Sequence, residues 1–332
     1  MDFGDQVTAL YASSPLDTFR LRFHHETGFL GAHGWIRRGL ARRPTALFLH
    51  GDIAERNLCY EPLEFSFVGY FSSRSRAGAS MCRLRTLHLS RLVLNEDFED
   101  FVANDLPVLE DLQLEGCEHS FGRIASGSLK NLTIDSWSPR FSAHVLVLSV
   151  PRVSTLRIDG SVLPVTSECE MASVVAASLT HQAGHLLRFL HGATSLDLSK
   201  LSATALLDDE EAAAVFPNLR TLLLYDCDDV AVLRHFLQNA PKLERLTVRY
   251  GRFLGGSTRS KKTSSDRHGR AAYECRNLKS VELEFYDDHD VFELDEALGD
   301  ISREYVLPIQ RSARHGKWAE DPVGQDMAAA IP

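Results

Sequence analysis

The chain has 332 residues, 44% of them hydrophobic and 24% charged, which is ordinary usage for a globular protein with a sizeable core. A formal net charge of -9 argues against a chain-wide grip on phosphate backbones, which needs a basic surface, so nucleic acid is not an expected partner. No apolar run approaches the roughly 18 residues of a membrane helix, the opening residues lack a secretory pattern, and the six scattered cysteines form no C-x-x-C pair. These features predict a cytoplasmic or nuclear protein with reduced thiols and no membrane partner.

Residues 1–13 are a lead-in without periodicity. A phrase then begins, apolar residues spaced three and then two apart, first as Leu16-Phe19-Leu21 and again as Pro44-Leu47-Leu49. Between them, Gly28, Gly31 and Gly34 are evenly spaced but do not form a dinucleotide-binding G-x-G-x-x-G. Tyr60-Leu63-Phe65 is a further candidate. The phrase is clearest from Leu84-Leu87-Leu89 onward, returning at Leu109, Leu129, Val153, Ala193, Leu219, Leu243 and Leu278. Successive starts are 25, 20, 24, 40, 26, 24 and 35 residues apart. Most of these intervals fall within the about 20–29 residues of leucine-rich repeats. The two long gaps must hold insertions or a degenerate repeat.

Pro107, Pro151, Pro217 and Pro241 each stand two residues before a phrase, where proline ends the preceding segment and leads into a short strand. Each phrase predicts a strand with alternate residues inward. Val230–Asn239 carries apolar residues at helical spacing, Met171–Leu190 is a longer helical candidate, and Glu293–Leu298 a weaker one. The predicted fold is therefore α/β: a leucine-rich-repeat solenoid, with a curved parallel sheet and helical or irregular returns. It is expected over residues 14–300. A basic Gly/Ser-rich stretch, residues 252–272, reads as an insertion loop, with a nuclear-localisation patch at Arg259, Lys261 and Lys262 or a phosphate-binding loop as alternatives. Residues 301–332 read as a partly disordered tail.

PVLEDLQLEGC (107–117), FPNLRTLLLYDC (216–227) and APKLERLTVRYG (240–251) resemble the repeats of plant F-box/leucine-rich-repeat proteins. LDTFRLRF (16–23), WIRRGLARRP (35–44) and CRNLKSVELEF (275–285) extend the resemblance over roughly residues 14–290. It implies a protein-interaction module resembling the substrate-recognition domain of a ubiquitin-ligase subunit, with a ubiquitination substrate as partner. About 15 residues precede the first phrase, too few for an F-box, so adaptor recruitment is not expected. Either that module was lost or the gene model is truncated.

The slots between the apolar positions face outward and form columns along the sheet. Glu115, Asp135 and Asp159 share one column on consecutive phrases, with Asp197 in the adjacent column. Carboxylates about 5 Å apart repel by roughly 1 kcal/mol in water, so such a ladder suits a basic partner. The bland alternative is a solvated acidic face. Leu223 and Tyr225 form an exposed apolar pair beside it, and Arg245 and Arg249 turn the face basic. These eight residues are the expected partner-binding set. A small-ligand or hormone-sensing domain built on Arg157, Arg245 and Arg249 is the rival reading, and a non-functional remnant a third. Cys117 and Cys227 take the slot where the repeat carries Asn or Cys, a buried turn position. His181 and His185 have metal-ligand spacing, but Gln182 stands where a catalytic glutamate would be. With no Walker loop and no G-x-S-x-G, the sequence predicts no enzyme, no cofactor and no metal.

Overall fold

The structure, a computed structural model, describes residues 15–52, 81–135, 138–139, 145–159, 164–201, 215–227, 230–249, 277–285 and 309–313. In chain order these contain β1 (Thr18–His24), α1 (His25–Ala41), β2 (Ala46–Asp52), β3 (Thr86–Ser90), β4 (Val93–Leu94) and α2 (Asp97–Asp100), which runs into a π-helical turn at Phe101–Asp105. There follow β5 (Asp111–Glu115), β6 (Glu118–His119), β7 (Arg123–Ala125), β8 (Asn131–Asp135), β9 (Ser138–Pro139), β10 (Leu146–Ser149), β11 (Thr155–Ile158), β12 (Val165–Ser167) and β13 (Ala176–Thr180). A 3-10 helix at His181–Phe189 leads to β14 (Ser195–Ser199), β15 (Thr221–Tyr225), α3 (Val230–Asn239), β16 (Arg245–Arg249), β17 (Ser280–Phe285) and β18 (Ile309–Ala313).

Among the described residues, twelve strands form one sheet in the order β1-β2-β3-β5-β8-β11-β13-β14-β15-β16-β17-β18. Every pairing in it is parallel, and each strand neighbours the next phrase along the chain. The register places equivalent phrase positions side by side: Leu112 pairs with Leu132, Leu132 with Leu156, and Leu222 with Leu246. Alternation does the rest. The leucines of each phrase are buried, with Leu87, Leu89, Leu132 and Leu224 fully so, and they stack into one continuous core. A single strand with one apolar face cannot hide that face alone, so the stack is obligatory.

The sequence between strands closes each turn in a repeated way. The N–H of the first apolar residue donates to the carbonyl three residues back: Leu109 to Leu106, Val153 to Val150, Leu219 to Phe216 and Leu243 to Ala240, at 3.1–3.2 Å. The four prolines occupy the second position of these turns, where their restricted φ is already correct and no N–H is needed. The strand itself starts two residues after the first apolar position. Before each strand, one carbonyl accepts two successive N–H groups of the next unit, as Arg85 does from Glu110 and Asp111. After the strand, Arg91, Gly116, Lys200 and Asp226 adopt left-handed conformations with φ of 52°, 57°, 54° and 50°. Their N–H groups donate to the last strand carbonyl of the following unit, at 2.8–2.9 Å. The residue after each, Leu92, Cys117, Leu201 or Cys227, is thereby turned into the core.

Three features depart from the sequence reading. Met171–Leu190 is not one helix: it holds a turn, β13 and the 3-10 helix. Val174, Ala177 and Leu179 keep the three-then-two spacing and are buried, so the 40-residue gap hides a degenerate repeat whose central leucine is an alanine. The returns are also more extended than expected, since β7-β10-β12 and β4-β6-β9 form two small parallel sheets. Finally, β18 pairs with β17 and carries the main sheet past residue 300.

Other expectations hold as made. Val230–Asn239 is helical, burying Val232, Leu233, Phe236 and Leu237. Leu16-Phe19-Leu21 and Pro44-Leu47-Leu49 lead β1 and β2. β2 pairs directly with β3, and β16 with β17. Tyr60-Leu63-Phe65, the basic stretch 252–272, Glu293–Leu298 and the tail outside β18 lie outside the described residues. Among the described residues, no helix is long and apolar enough to cross a membrane.

Candidate binding face

The outward face of the main sheet is where the expected residues converge. Glu115 and Asp135 are direct register partners, and Asp159 follows at the end of β11, its N–H donating to the Ile134 carbonyl. The three carboxylates thus form the column expected of them. They are not bare, however. Glu115 Oε2 lies 3.3 Å from His88 Nε2, and Asp159 Oδ2 lies 3.5 Å from Arg157 Nη2. Beside them, Asn131 Nδ2 donates to Asp111 Oδ1 on the preceding strand.

Strand β13 changes the expected adjacency. It inserts Ser178 and Thr180 into the outward columns between β11 and β14. Asp197 is therefore two strands from Arg157, and Leu223 and Tyr225 lie three strands beyond the acidic column rather than beside it. Leu223 and Tyr225 are half-buried, and Leu223 is flanked by Asp197 and Thr247. Partial desolvation pushes the Asp197 carboxyl above its usual range; Arg157 pulls it down, Asp159 pushes it up, and Arg249 pulls it down.

The basic end of the series is largely neutralised. Arg249 reaches Glu282 at 3.6 Å and Glu284 at 3.4 Å on β17. The expectation that the face turns basic at Arg245 and Arg249 is thus corrected: Arg245 is exposed there, but Arg249 is committed to two carboxylates of the next strand.

Outside these columns, the rim just before the strands carries alternating charge. Arg85, Glu110 and Lys130 stand on successive units, with Glu110 bonded to Arg85 and its Oε2 3.1 Å from Lys130 Nζ. The pattern repeats as Arg220, Glu244 and Lys279, both contacts at 2.7 Å. Lys130 and Lys279, with the arginines adding to them, hold the Glu110 and Glu244 carboxyls below their ordinary range.

Cys117 and Cys227 are buried, with thiols facing the Leu89 and Leu198 carbonyls at 3.4 and 3.9 Å. Burial pushes the Cys117 thiol up to about 12. The HQAGH segment winds as a 3-10 helix, where positions four apart diverge by about 120° around the axis rather than sharing a face.

Sequence reasoning left the first strands out of the face. Their outward residues are Arg20 and Arg22 on β1 and Phe48 and His50 on β2, in register with His88 and Ser90 on β3. The Arg20 guanidinium lies 4.3 Å from the centre of the Phe48 ring, which meets the His88 ring edge-on at 5.8 Å. Arg22 Nη2 lies 3.2 Å from His50 Nε2, and His50 Nδ1 lies 2.9 Å from Ser90 Oγ. The signal was present: the phrases at Leu16 and Pro44 carry the same spacing and put these four residues in outward slots.

No protein-family profile matches the chain. The chain is 29% identical to the meiotic F-box protein MOF of Oryza sativa subsp. japonica, over 98% of this chain and 72% of that protein. It is 24% identical to a putative F-box/LRR-repeat protein of Arabidopsis thaliana, over 76% of this chain and 63% of that protein.

Proposed function

From this kinship with plant F-box proteins, which supports a place in the plant F-box/leucine-rich-repeat family, we propose that the chain is a protein-interaction module of the substrate-recognition kind found in ubiquitin ligases. It is built as a leucine-rich-repeat solenoid, and its partner lies on the outward face of the main sheet. The observation that carries this reading is the register: equivalent polar positions from successive phrases are brought side by side over a single open sheet face. Such a surface offers many side chains at a spacing of about 4.8 Å to one partner. Aromatic and arginine residues, which concentrate binding energy at interfaces, stand at Phe48, Tyr225, Arg20 and Arg245. Cys82, Cys117, Cys169 and Cys227, present as thiols, suit a reducing compartment, the cytoplasm or nucleus.

The partner-binding set is Glu115, Asp135, Asp159, Asp197, Leu223, Tyr225 and Arg245, with Arg249 holding Glu282 and Glu284 in place. The small-ligand reading has less behind it: Arg157 and Arg249 are each spent on carboxylates and stand four strands apart. The test is quantitative affinity capture from plant tissue, comparing the native chain with Tyr225→Ala and with the pair Glu115→Lys and Asp135→Lys. A partner recovered by the native chain and reduced several-fold by these outward changes supports the reading. Capture unaffected by either variant refutes it.

A further inference from the structure

Three places on the molecule invite a use beyond the reading above: the acidic column, the buried thiols, and the outward surface of β1–β3. The carboxylates of the column are partly answered by His88 and Arg157, and the Cys117 and Cys227 thiols are closed off in the core. The surface of β1–β3 is different. Arg20 and Arg22 are exposed, and among the described residues neither has a carboxylate within ion-pair distance. Arg85, Arg123, Arg157, Arg220 and Arg249 all do. Arg245 shares their state, but it lies nine strand positions away.

The two arginines are also held in place. Stacking on Phe48 orients the Arg20 guanidinium, and the contact with His50 orients that of Arg22. His50 is itself anchored on Ser90, which is buried despite its outward slot. Two residues apart on one strand, the arginines face the same way about 7 Å apart. Their forked N–H donors match carboxylates, and little side-chain freedom remains to be lost on binding.

What lies next to them limits the occupant. Moving across the sheet, the acidic column begins at Glu115, three strand positions from β1, or about 14 Å, and runs to Asp159 at about 24 Å. A uniform polyanion such as a nucleic acid would meet repulsion there. An extended polypeptide of about seven residues spans the same distance.

We propose that the outward surface of β1–β3 binds an acidic segment of a partner protein, continued by a basic segment over Glu115, Asp135 and Asp159, so that the recognised stretch is charge-polarised and lies across the strands. This rests on the interaction reading above and gives it a chemical specificity.

The experiment uses the full chain and fluorescence anisotropy. One labelled peptide has three glutamates, two serines and three lysines in that order; a second has the same composition with the charges alternating. The expected result is a preference for the block peptide of about tenfold, reduced by added salt. The double variant Arg20→Glu and Arg22→Glu loses that preference and instead prefers a peptide with lysine at all six charged positions. Far-UV circular dichroism matching that of the native chain establishes that the double variant is folded, since an unfolded acidic chain would also attract a lysine peptide. Equal binding of both peptides by the native chain, or a double variant that still prefers the block peptide, overturns the proposal. Displacement of the block peptide by oligothymidylate as readily as by its unlabelled form also overturns it, in favour of a nucleic-acid surface. If capture of the native partner remains sensitive to Tyr225→Ala while the peptides fail, this inference falls and the interaction reading stands.

Discussion

Leu222 and Leu223 are neighbours on β15 and opposite in environment, so together they test the register on which the face depends. Leu222 is fully buried between Leu196 and Leu246 of the flanking strands, whereas Leu223 is half-buried between Asp197 and Thr247. Cutting Leu222 to alanine removes apolar groups worth about 0.8 kcal/mol per methylene, near 2.4 kcal/mol in transfer alone. The cavity left between two stacked strands raises this to about 3–4 kcal/mol, inside the usual range for buried leucines. Leu223→Ala forfeits roughly half of the transfer contribution and opens no closed cavity, so about 1 kcal/mol is expected. Urea titration followed by far-UV circular dichroism reads both as shifts in midpoint at unchanged slope. Comparable losses for the two variants, or a larger loss for Leu223→Ala, would refute the register.

The rim ladders should make stability pH-dependent. Because the folded Glu110 and Glu244 carboxyls lie below their ordinary 4.5, their contribution is present above that pH and disappears as pH falls through the lowered folded values. The urea midpoint of Glu110→Gln with Glu244→Gln should therefore lie below that of the native chain at pH 6 and converge with it near pH 3; a gap that widens on acidification contradicts the argument. Thiol labelling at pH 8, mapped by mass spectrometry, should modify exposed Cys82 while sparing Cys117 and Cys227 until urea unfolds the sheet. Rapid labelling of Cys117 in the native chain would contradict its burial. Gly192→Ala should destabilise by about 1–3 kcal/mol, since its new Cβ would stand 2.6 Å from the Ala172 carbonyl oxygen, whereas Gly127→Ala, with nothing within 4 Å, should be near neutral by the same titration.

The main sheet was legible because its stabilising pattern is dense and redundant. Each unit needs three apolar residues at one spacing, and that spacing survives substitution among leucine, isoleucine and valine, as at Val153-Leu156-Ile158. It fails to stand out when the middle residue shrinks. Ala177 buries little surface by itself, and the run from Met171 to Leu190 has enough apolar residues at helical intervals to suggest a helix. Tertiary context decides the matter, since Ala177 lies in register between Leu156 and Leu196 and its small side chain is accepted by larger neighbours. The two small return sheets were not legible for a related reason. Strands such as Val93–Leu94 and Arg123–Ala125 are two or three residues long, and a period of two cannot be read from so short a stretch.

The face was legible in its columns but not in its charge balance, because columns follow from spacing within one unit while ion pairs follow from which units become neighbours. Placing Arg249 on the outward face needs only the phrase at Leu243. Knowing that Glu282 and Glu284 answer it requires that β17 pair with β16 across an interval holding the basic stretch. The same logic explains why the first strands were undervalued. Arg20 and Phe48 are 28 residues apart, and neither marks a site by itself. Once β1 and β2 pair in parallel, the phrase spacing forces them side by side, with the cation over the ring. In a stacked parallel sheet, charge that is cancelled by the next unit contributes rigidity, and charge that finds no neighbour stays available to a partner. By that criterion Arg20 and Arg22, rather than Arg249, mark the cationic end of the face.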